Sequence, residues 1–171
     1  MTPIETTEDF SKKCHPVAEH LNQIDWFIFG SINFSKHLSH QRDNAQRAKR
    51  FFALMNALAV FVGVKTKKLV YFQNNEVKPE TDFHHIHFLL AHHHLEQFGA
   101  DAVCDFLAAK AKELGMPDSV FRPFDKSKDG VGYTTKKVFK QSRCGRYTEM
   151  PLDYHPSKGL ERIWREREKL E

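Results

Sequence analysis

The chain has 171 residues, a mass of 20.0 kDa and a net charge of +4, which is the size of one ordinary domain. Its 40% hydrophobic and 28% charged residues exclude a disordered or collagen-like chain, and no apolar run approaches the roughly 18 residues of a membrane span. Three cysteines, an odd number without a CxxC pair, argue against a disulfide framework. Because the first residues do not form a secretory signal, we expect a cytoplasmic, single-domain protein without a membrane partner.

The first third of the chain is predicted to form an irregular N-terminal tail, a strand and a helix. Residues 1–22 have no clear periodicity, and residues 26–34 (WFIFGSINF) have the aromatic and apolar character of a buried strand. A helix is predicted over about 40–62, capped by Ser39 and ended by Gly63. Its first half carries four basic side chains, which are Arg42, Arg47, Lys49 and Arg50.

The rest of the chain predicts a hairpin followed by alternating helices and strands. Residues 68–73 (KLVYFQ) and 83–91 (FHHIHFLLA) are two strand candidates joined by a turn-rich loop. The later elements are a helix over about 95–114, a strand over 120–124, a helix over 132–141 and a charged helical extension over about 155–171. This order predicts an α+β fold with a central antiparallel sheet of about five strands flanked by helices, close to the ferredoxin-like arrangement.

The positive charge is concentrated in two segments. Residues 35–68 carry eight Lys or Arg against one acid, and residues 122–146 carry eight against two. Clusters of this kind indicate a polyanionic partner, although solvated basic faces would give the same count.

The histidine-rich strand offers a pair of metal ligands. Side chains alternate along a strand, so His85 and His87 point to one face, about 7 Å apart at Cα, while Ile86 points to the other. Two imidazoles so placed can share one metal ion, although two ordinary histidines on a half-exposed strand fit the same pattern. His92 and His94 repeat the spacing but follow the apolar run, which favours a polar strand end.

A tyrosine and a lysine share a face of the helix predicted over 132–141. Tyr133 and Lys136 are three residues apart, and a neighbouring ammonium stabilises a phenolate and so makes tyrosine a better nucleophile. Lys137 and Lys140 would hold phosphates nearby. A surface tyrosine on a basic helix is the alternative.

Taken together and in this order, the aromatic strand, the histidine pair and Tyr-x-x-Lys resemble the HUH endonucleases, in particular the single-tyrosine rolling-circle replication initiators. The three motifs match at residues 27–34, at His85-Ile86-His87 and at residues 133–136, and the resemblance covers about residues 25–141.

The resemblance implies an activity. His85 and His87 would hold Mg²⁺ or Mn²⁺, which would polarise the scissile phosphate of single-stranded DNA. Tyr133 would attack that phosphate, giving a 5′-phosphotyrosine and a free 3′-hydroxyl that primes replication of a plasmid, phage or virus, and the reverse reaction would rejoin the strand. Lys136 would activate the tyrosine or steady the phosphate.

The family has a third metal ligand, usually an acidic residue on the strand paired with the histidine strand. Gln73 has the matching position, whereas Glu76, predicted in the connecting loop, has the better chemistry. Glu80 and Asp82 in the same loop are further carboxylates, and the choice stays open.

The expected partner is single-stranded DNA with an origin hairpin. The basic helix and the segment 122–146 would flank its path, with contacts from Arg42, Arg47, Lys49, Arg50, Lys137 and Lys140. Because the chain has no P-loop, a helicase would act in trans.

Four alternatives remain from the sequence: a single-tyrosine transposase, a mobilisation relaxase, a non-catalytic nucleic-acid-binding domain with a ferredoxin-like sheet, and a small metal-binding interaction protein. The lysine at 136 favours an initiator over a transposase, and the position of Tyr133 disfavours a relaxase. The oligomeric state stays open.

Overall fold

A computed structural model describes residues 17–34, 43–78, 83–91, 94–136, 138–141, 147–150, 153–167 and 169. Its helices are α1 (Val17–Leu21), α2 (Asn44–Phe61), α3 (Ala100–Glu113), α4 (Gly130–Thr135) and α5 (Lys158–Arg167), with short 3-10 turns at Thr66–Lys68 and Glu96–Phe98. Its strands are β1 (Trp26–Asn33), β2 (Tyr71–Lys78), β3 (Phe83–Ala91), β4 (Val120–Pro123), β5 (Val138–Gln141), β6 (Tyr147–Met150) and β7 (Asp153–Pro156).

Five of these strands form one antiparallel sheet in the order β4-β1-β3-β2-β7. The predicted α+β class and central antiparallel sheet are therefore confirmed. The first four strands alternate with α2 and α3 along the chain in a manner compatible with a ferredoxin-like fold. Strands β5 and β6 pair only with each other in a separate two-stranded ribbon within the described residues.

Helices cover both faces of the sheet. Successive side chains along β3 point to opposite faces, so each face receives every second residue of this strand. Ile86 and Phe88 join the first face, where β1 and β3 pack against α2 and α3. Leu89 joins the second face, which carries α1, α4 and α5. His85 and His87 have the parity of Leu89, so the histidine pair belongs to the second face.

Close packing at the centre of the sheet requires a glycine in β1. Gly30 pairs with Phe88 of β3, and a Cβ added at Gly30 would lie 2.1 Å from the Phe88 ring. The ring therefore occupies the space that any side chain at this position would need.

The α2 helix begins later than the sequence predicts. Residues 35–42, including Ser39 and Arg42, lie outside the described residues, and the N-cap is Asp43. Its carboxylate accepts hydrogen bonds from the backbone N–H groups of Ala45 at 2.8 Å and Gln46 at 3.3 Å. Aspartate is as good a cap as serine, so local chemistry alone did not separate the two starts.

The helix predicted over 132–141 is wrong in its extent. The α4 helix has six residues and ends at Thr135, because Lys136 turns to an extended ψ of 142°. Lys140 lies on β5 instead. The hydroxyl groups of Thr134 and Thr135 donate to backbone carbonyls four residues earlier, and the residues Val138 and Phe139 that follow favour a strand.

The hairpin also differs from the prediction. The second strand runs to Lys78 rather than ending at Gln73, and Asn74 to Val77 pair with β3. Cross-strand pairing over this length outweighs the turn preference of the Asn74-Asn75 pair. The loop is correspondingly shorter, and Glu80 and Asp82 lie outside the described residues.

No helix among the described residues combines the length and the apolar character that crossing a bilayer would require.

Candidate metal and tyrosine site

Two neighbouring strands bring three potential metal ligands together on the second face. Glu76 on β2 is the register partner of His85 on β3. Its Oε2 atom lies 3.6 Å from His85 Nε2 and 3.4 Å from His87 Nε2. One ligand atom from each residue can be chosen so that all three lie within 4.8 Å of one another, and all three residues are buried. The strands supply this geometry because residues on one face of paired strands are neighbours.

These three side chains do not satisfy one another. Buried Glu76 Oε2, His87 Nε2 and the Nδ1 atoms of both histidines have no hydrogen-bond partner among the described residues. Buried polar atoms are normally paired, and leaving them unpaired costs about 1–3 kcal/mol each. Orphaned oxygen and nitrogen atoms that converge within one small volume are what a divalent cation needs as ligands. The residues present therefore fit a metal ion.

Electrostatics favour the ligand-competent forms of the carboxylate and of one imidazole. Burial by itself raises the pKa of Glu76, but His85, His87 and Lys136 more than offset it and hold the pKa well below its usual range. Burial lowers the pKa of His87 despite the neighbouring carboxylate. Glu76 is therefore ionised and His87 neutral at neutral pH, which are the forms that bind metal.

Lys136 connects the carboxylate to the tyrosine. Its Nζ lies 3.1 Å from Glu76 Oε1, whereas the two histidines contact Oε2. The same ammonium lies 4.2 Å from the centroid of the Tyr133 ring. A cation over an aromatic face is attracted by the ring. Lys136 thus contacts both the ligand cluster and the ring, from a position just past the end of α4.

Tyr133 lies against the ligand cluster and also reaches solvent. Its ring contacts the His87 ring edge to face, with centroids 4.8 Å apart, and the Phe29 ring at 6.0 Å. Its side chain is nevertheless 48% exposed. The imidazoles are almost fully buried, and their rings lie beside those of Phe29, Phe83 and Tyr133.

A buried asparagine fixes α4 to the sheet. Asn74, the register partner of His87, donates from Nδ2 to the Thr134 carbonyl at 2.9 Å. The start of α4 is held by Asp129, whose carboxylate accepts from the Gly132 N–H at 2.9 Å. Both ends of the short helix are therefore anchored, which sets the place of Tyr133 between them.

A basic and aromatic cavity of about 890 Å³ opens beside the tyrosine. Tyr133 and Lys136 lie in its wall, together with Phe29, Arg122, Phe124, Lys126 and Lys128 and the two carboxylates of Asp125 and Asp129. The Arg122 guanidinium lies over the Phe29 ring at 4.9 Å. The wall thus combines ring faces with positive charge, which is the combination that binds unpaired nucleotides.

The structure separates the two candidates for the third ligand. Glu76 joins the histidines, as its chemistry suggested, and lies on β2 rather than in a loop. Gln73 pairs with Phe88 and has the parity of Tyr71, so it faces α2 on the first face of the sheet. Gln73 and Glu76 are three positions apart on the same strand, so their side chains point to opposite faces and only one of them can face the histidines.

The basic helix does not flank the site. The α2 helix packs on the first face, opposite the histidines. Arg47, predicted to contact DNA, is buried and donates to Asn44 Oδ1. Arg50 donates to the Leu114 carbonyl at the end of α3, and Lys49 is exposed on the same face. Arg42 and Lys137 lie outside the described residues.

The sequence did not single out Asn74 or the aromatic cavity wall. The turn preference of Asn74 and Asn75 predicts a loop there, and no local pattern in the sequence marks Asn74 as part of the site. Arg122, Lys126 and Lys128 were counted in a basic segment without being assigned to the site. Their position beside Tyr133 depends on β4 pairing with β1.

Comparisons with known proteins give no relative: no family model, no curated protein and no solved structure matches this chain.

Proposed function

We propose that this protein is a metal-dependent nuclease of the HUH type that nicks and rejoins single-stranded DNA through a phosphotyrosine intermediate. Its role would be to initiate rolling-circle replication of a plasmid, phage or virus. One observation carries the proposal. The solvent-accessible Tyr133 ring lies 4.8 Å from the ring of His87, and His87 belongs to a buried cluster of two histidines and one carboxylate.

The ligand set suits the chemistry. Glu76, His85 and His87 would hold the cation, and their mixture of one carboxylate and two imidazoles suits Mn²⁺ in particular. When bound, a divalent cation supplies Lewis-acid polarisation of a phosphoryl oxygen. The ligand atoms are in place before DNA binds, because the paired strands β2 and β3 hold the three residues close together.

Tyr133 is the nucleophile in this proposal. A bond forms between its phenol oxygen and the phosphorus, the bond from phosphorus to the 3′ oxygen breaks, and the phenol proton is finally carried by the released 3′-hydroxyl. Exposure of the side chain to solvent allows the proton to leave and DNA to approach. The covalent product conserves the phosphodiester energy, so the reverse attack rejoins the strand.

Lys136 supports the attack by its charge. Its ammonium, 4.2 Å from the centroid of the Tyr133 ring, would steady the phosphate that the tyrosine attacks. Its ion pair with Glu76 also orients the carboxylate, since one oxygen is held by the lysine while the other faces the histidines. The lysine therefore links the nucleophile to the ligand set.

The cavity beside Tyr133 is the place for the DNA strand. Arg122, Lys126 and Lys128 would neutralise phosphates, and the rings of Phe124 and Tyr133, which reach solvent, would stack with unpaired bases. The proposed DNA path therefore runs along the β4 edge of the sheet and not along α2.

The decisive test is covalent capture. A pool of single-stranded oligonucleotides of random sequence, labelled at the 3′ end, is incubated with protein and Mn²⁺ and run on a denaturing gel. The tyrosine would carry the 5′ end of the downstream fragment, so the 3′ label must migrate with the protein. We expect this adduct in the parent protein and its loss in Tyr133→Phe. Tyr71→Phe, a tyrosine of the opposite face, is the matched control and should keep the adduct.

The metal arm uses a second pair of variants. The double substitution of His85 and His87 by Ala should abolish the adduct and Mn²⁺ binding by calorimetry, whereas His155→Ala, an exposed histidine paired with Asp153, should leave both intact. An adduct that survives Tyr133→Phe contradicts the proposal. Retention of DNA without any adduct would favour the non-catalytic binding domain.

A further inference from the structure

A second basic concavity lies away from the tyrosine site. It has a volume of about 550 Å³ and is lined by Lys67, Lys68, Lys158, Arg162, Arg165 and Lys169, together with the single carboxylate of Glu166. All six cationic side chains are exposed. We call this surface the α5 basic concavity.

Two distant chain segments build the concavity. The 3-10 turn Thr66–Lys68 leads into β2, and the first turn of α5 docks beside it. Gly159 permits this approach, because a Cβ there would lie 2.5 Å from the Leu69 carbonyl oxygen. Ser157 fixes the contact: its Oγ accepts from the N–H of Tyr71 at 2.9 Å and of Leu160 at 3.1 Å.

The concavity concentrates charge without neutralising it. Among the described residues of its lining, six cations against one acid give a local charge of +5. The acid is already engaged, since Glu166 Oε1 lies 3.9 Å from Arg162 Nε. Holding like charges together raises the energy of the folded state unless a polyanion is bound. The surface therefore indicates a ligand with closely spaced negative charges.

We propose that the α5 basic concavity binds the sugar–phosphate backbone of double-stranded nucleic acid. The described residues of its lining include no aromatic side chain, in contrast to the cavity beside Tyr133, so they offer nothing on which an unpaired base could stack. A duplex hides its base faces and presents one phosphate charge per about 1.7 Å of helix axis. Lysine and arginine side chains alone recognise that array, without reading its sequence.

This site is separate from the candidate nuclease site. Glu76 lies five residues along β2 from Tyr71, where α5 is anchored, and that is about 17 Å at the usual rise of a strand. Duplex binding requires neither the metal ligands nor Tyr133, so the proposal stands independently of the nuclease activity.

The test measures binding in EDTA with the Tyr133→Phe protein, so that no cleavage contributes. Fluorescence anisotropy is recorded with a labelled 16-base-pair duplex and with its single strand across a series of salt concentrations. The Lys68→Gln/Arg162→Gln variant removes two charges from the concavity. Lys110→Gln/Lys112→Gln removes two charges from the last turn of α3 and is the matched control.

We expect the concavity variant to weaken duplex binding about tenfold at low salt and to lower the slope of log Kd against log salt by about 1.8, which corresponds to two lost phosphate contacts. The control should change neither value, and single-strand binding should be much less affected. Lys67→Gln/Lys158→Gln repeats the test with different residues should the first variant unfold.

Three results would overturn the proposal. The first is an unchanged duplex affinity and salt slope in both concavity variants. The second is an equal loss for single strand and duplex. The third is binding to vesicles that contain anionic lipid, lost in the same variants, with no binding to the duplex. None of these results depends on whether Tyr133 forms an adduct.

Discussion

Replacing Glu76 by glutamine tests the metal site at its only charged ligand. The substitution keeps the size and one oxygen of the side chain, so it removes charge without opening a cavity. Two effects should follow. The Lys136 ammonium, 3.1 Å away, loses its anionic partner, and the two imidazoles lose the carboxylate with which they would share a cation.

Each effect has a magnitude. Lys136 is 24% exposed, so water solvates part of its charge, and an amide oxygen still accepts its hydrogen bond. We therefore expect a loss of about 2 kcal/mol without metal, below the range for breaking a fully buried pair. At about 2–4 °C per kcal/mol for a chain of this size, the melting temperature in EDTA should fall by about 4–8 °C.

The metal response should change more clearly. With Mn²⁺ at about 100 times its Kd, the parent protein gains about 2.7 kcal/mol, or about 5–11 °C. Loss of a ligand should weaken binding by at least about 100-fold, since even partners outside the ligand shell cost 10–100-fold. At the same Mn²⁺ concentration the variant then gains only about 0.4 kcal/mol, or about 1–2 °C.

A thermal melt in EDTA and in Mn²⁺ measures both effects in one assay. Glu113→Gln is the matched control, because Glu113 is an exposed carboxylate on α3 that pairs with Lys110, and it should keep the full metal response. A Glu76→Gln protein that gains as much from Mn²⁺ as the parent would refute the ligand assignment.

Three further predictions concern the elements around the site. Gly30→Ala would place a methyl group 2.1 Å from the Phe88 ring, so we expect a loss of about 2–3 kcal/mol in urea unfolding; an unchanged midpoint would show that the strands can separate there. Asn74→Ala removes the bond to the buried Thr134 carbonyl and should cost about 1–3 kcal/mol, with faster amide exchange in α4 and little change elsewhere. Burial lowers the pKa of His87, so its contribution is complete above about pH 6.5 and is lost as the pH falls from there toward the folded-state pKa, at no more than about 1.4 kcal/mol per pH unit. Urea unfolding in EDTA at several pH values should show this loss in the parent and a smaller one in His87→Gln, and equal pH profiles would contradict it.

The local features of the site were predictable from residue order alone. The alternation of β3 placed His85 and His87 on one face, and the structure has both there. The strands and helices from β1 to β4 followed from apolar periodicity, although their ends moved by several residues. Tyr133 lies on a helix, as its context indicated.

Errors arose where pairing or packing outweighs local preference. Asn74 and Asn75 favour a turn in isolation, but β3 provides hydrogen-bond partners that extend β2 through them. The helix predicted around Lys140 gives way to β5, which pairs with β6. Arg47 resembles an exposed cation in the sequence, yet it is buried beside Asn44.

The sequence by itself determined the α+β class, the shared face of the two histidines and the presence of a tyrosine with a lysine three residues later, because each depends on spacing within one segment. Only the tertiary structure decided that Glu76 rather than Gln73 joins the histidines, that Tyr133 lies against His87, and that the turn Thr66–Lys68 lies beside α5. These contacts join residues that are far apart in the chain, and their distances depend on strand register and helix docking, which no local period encodes.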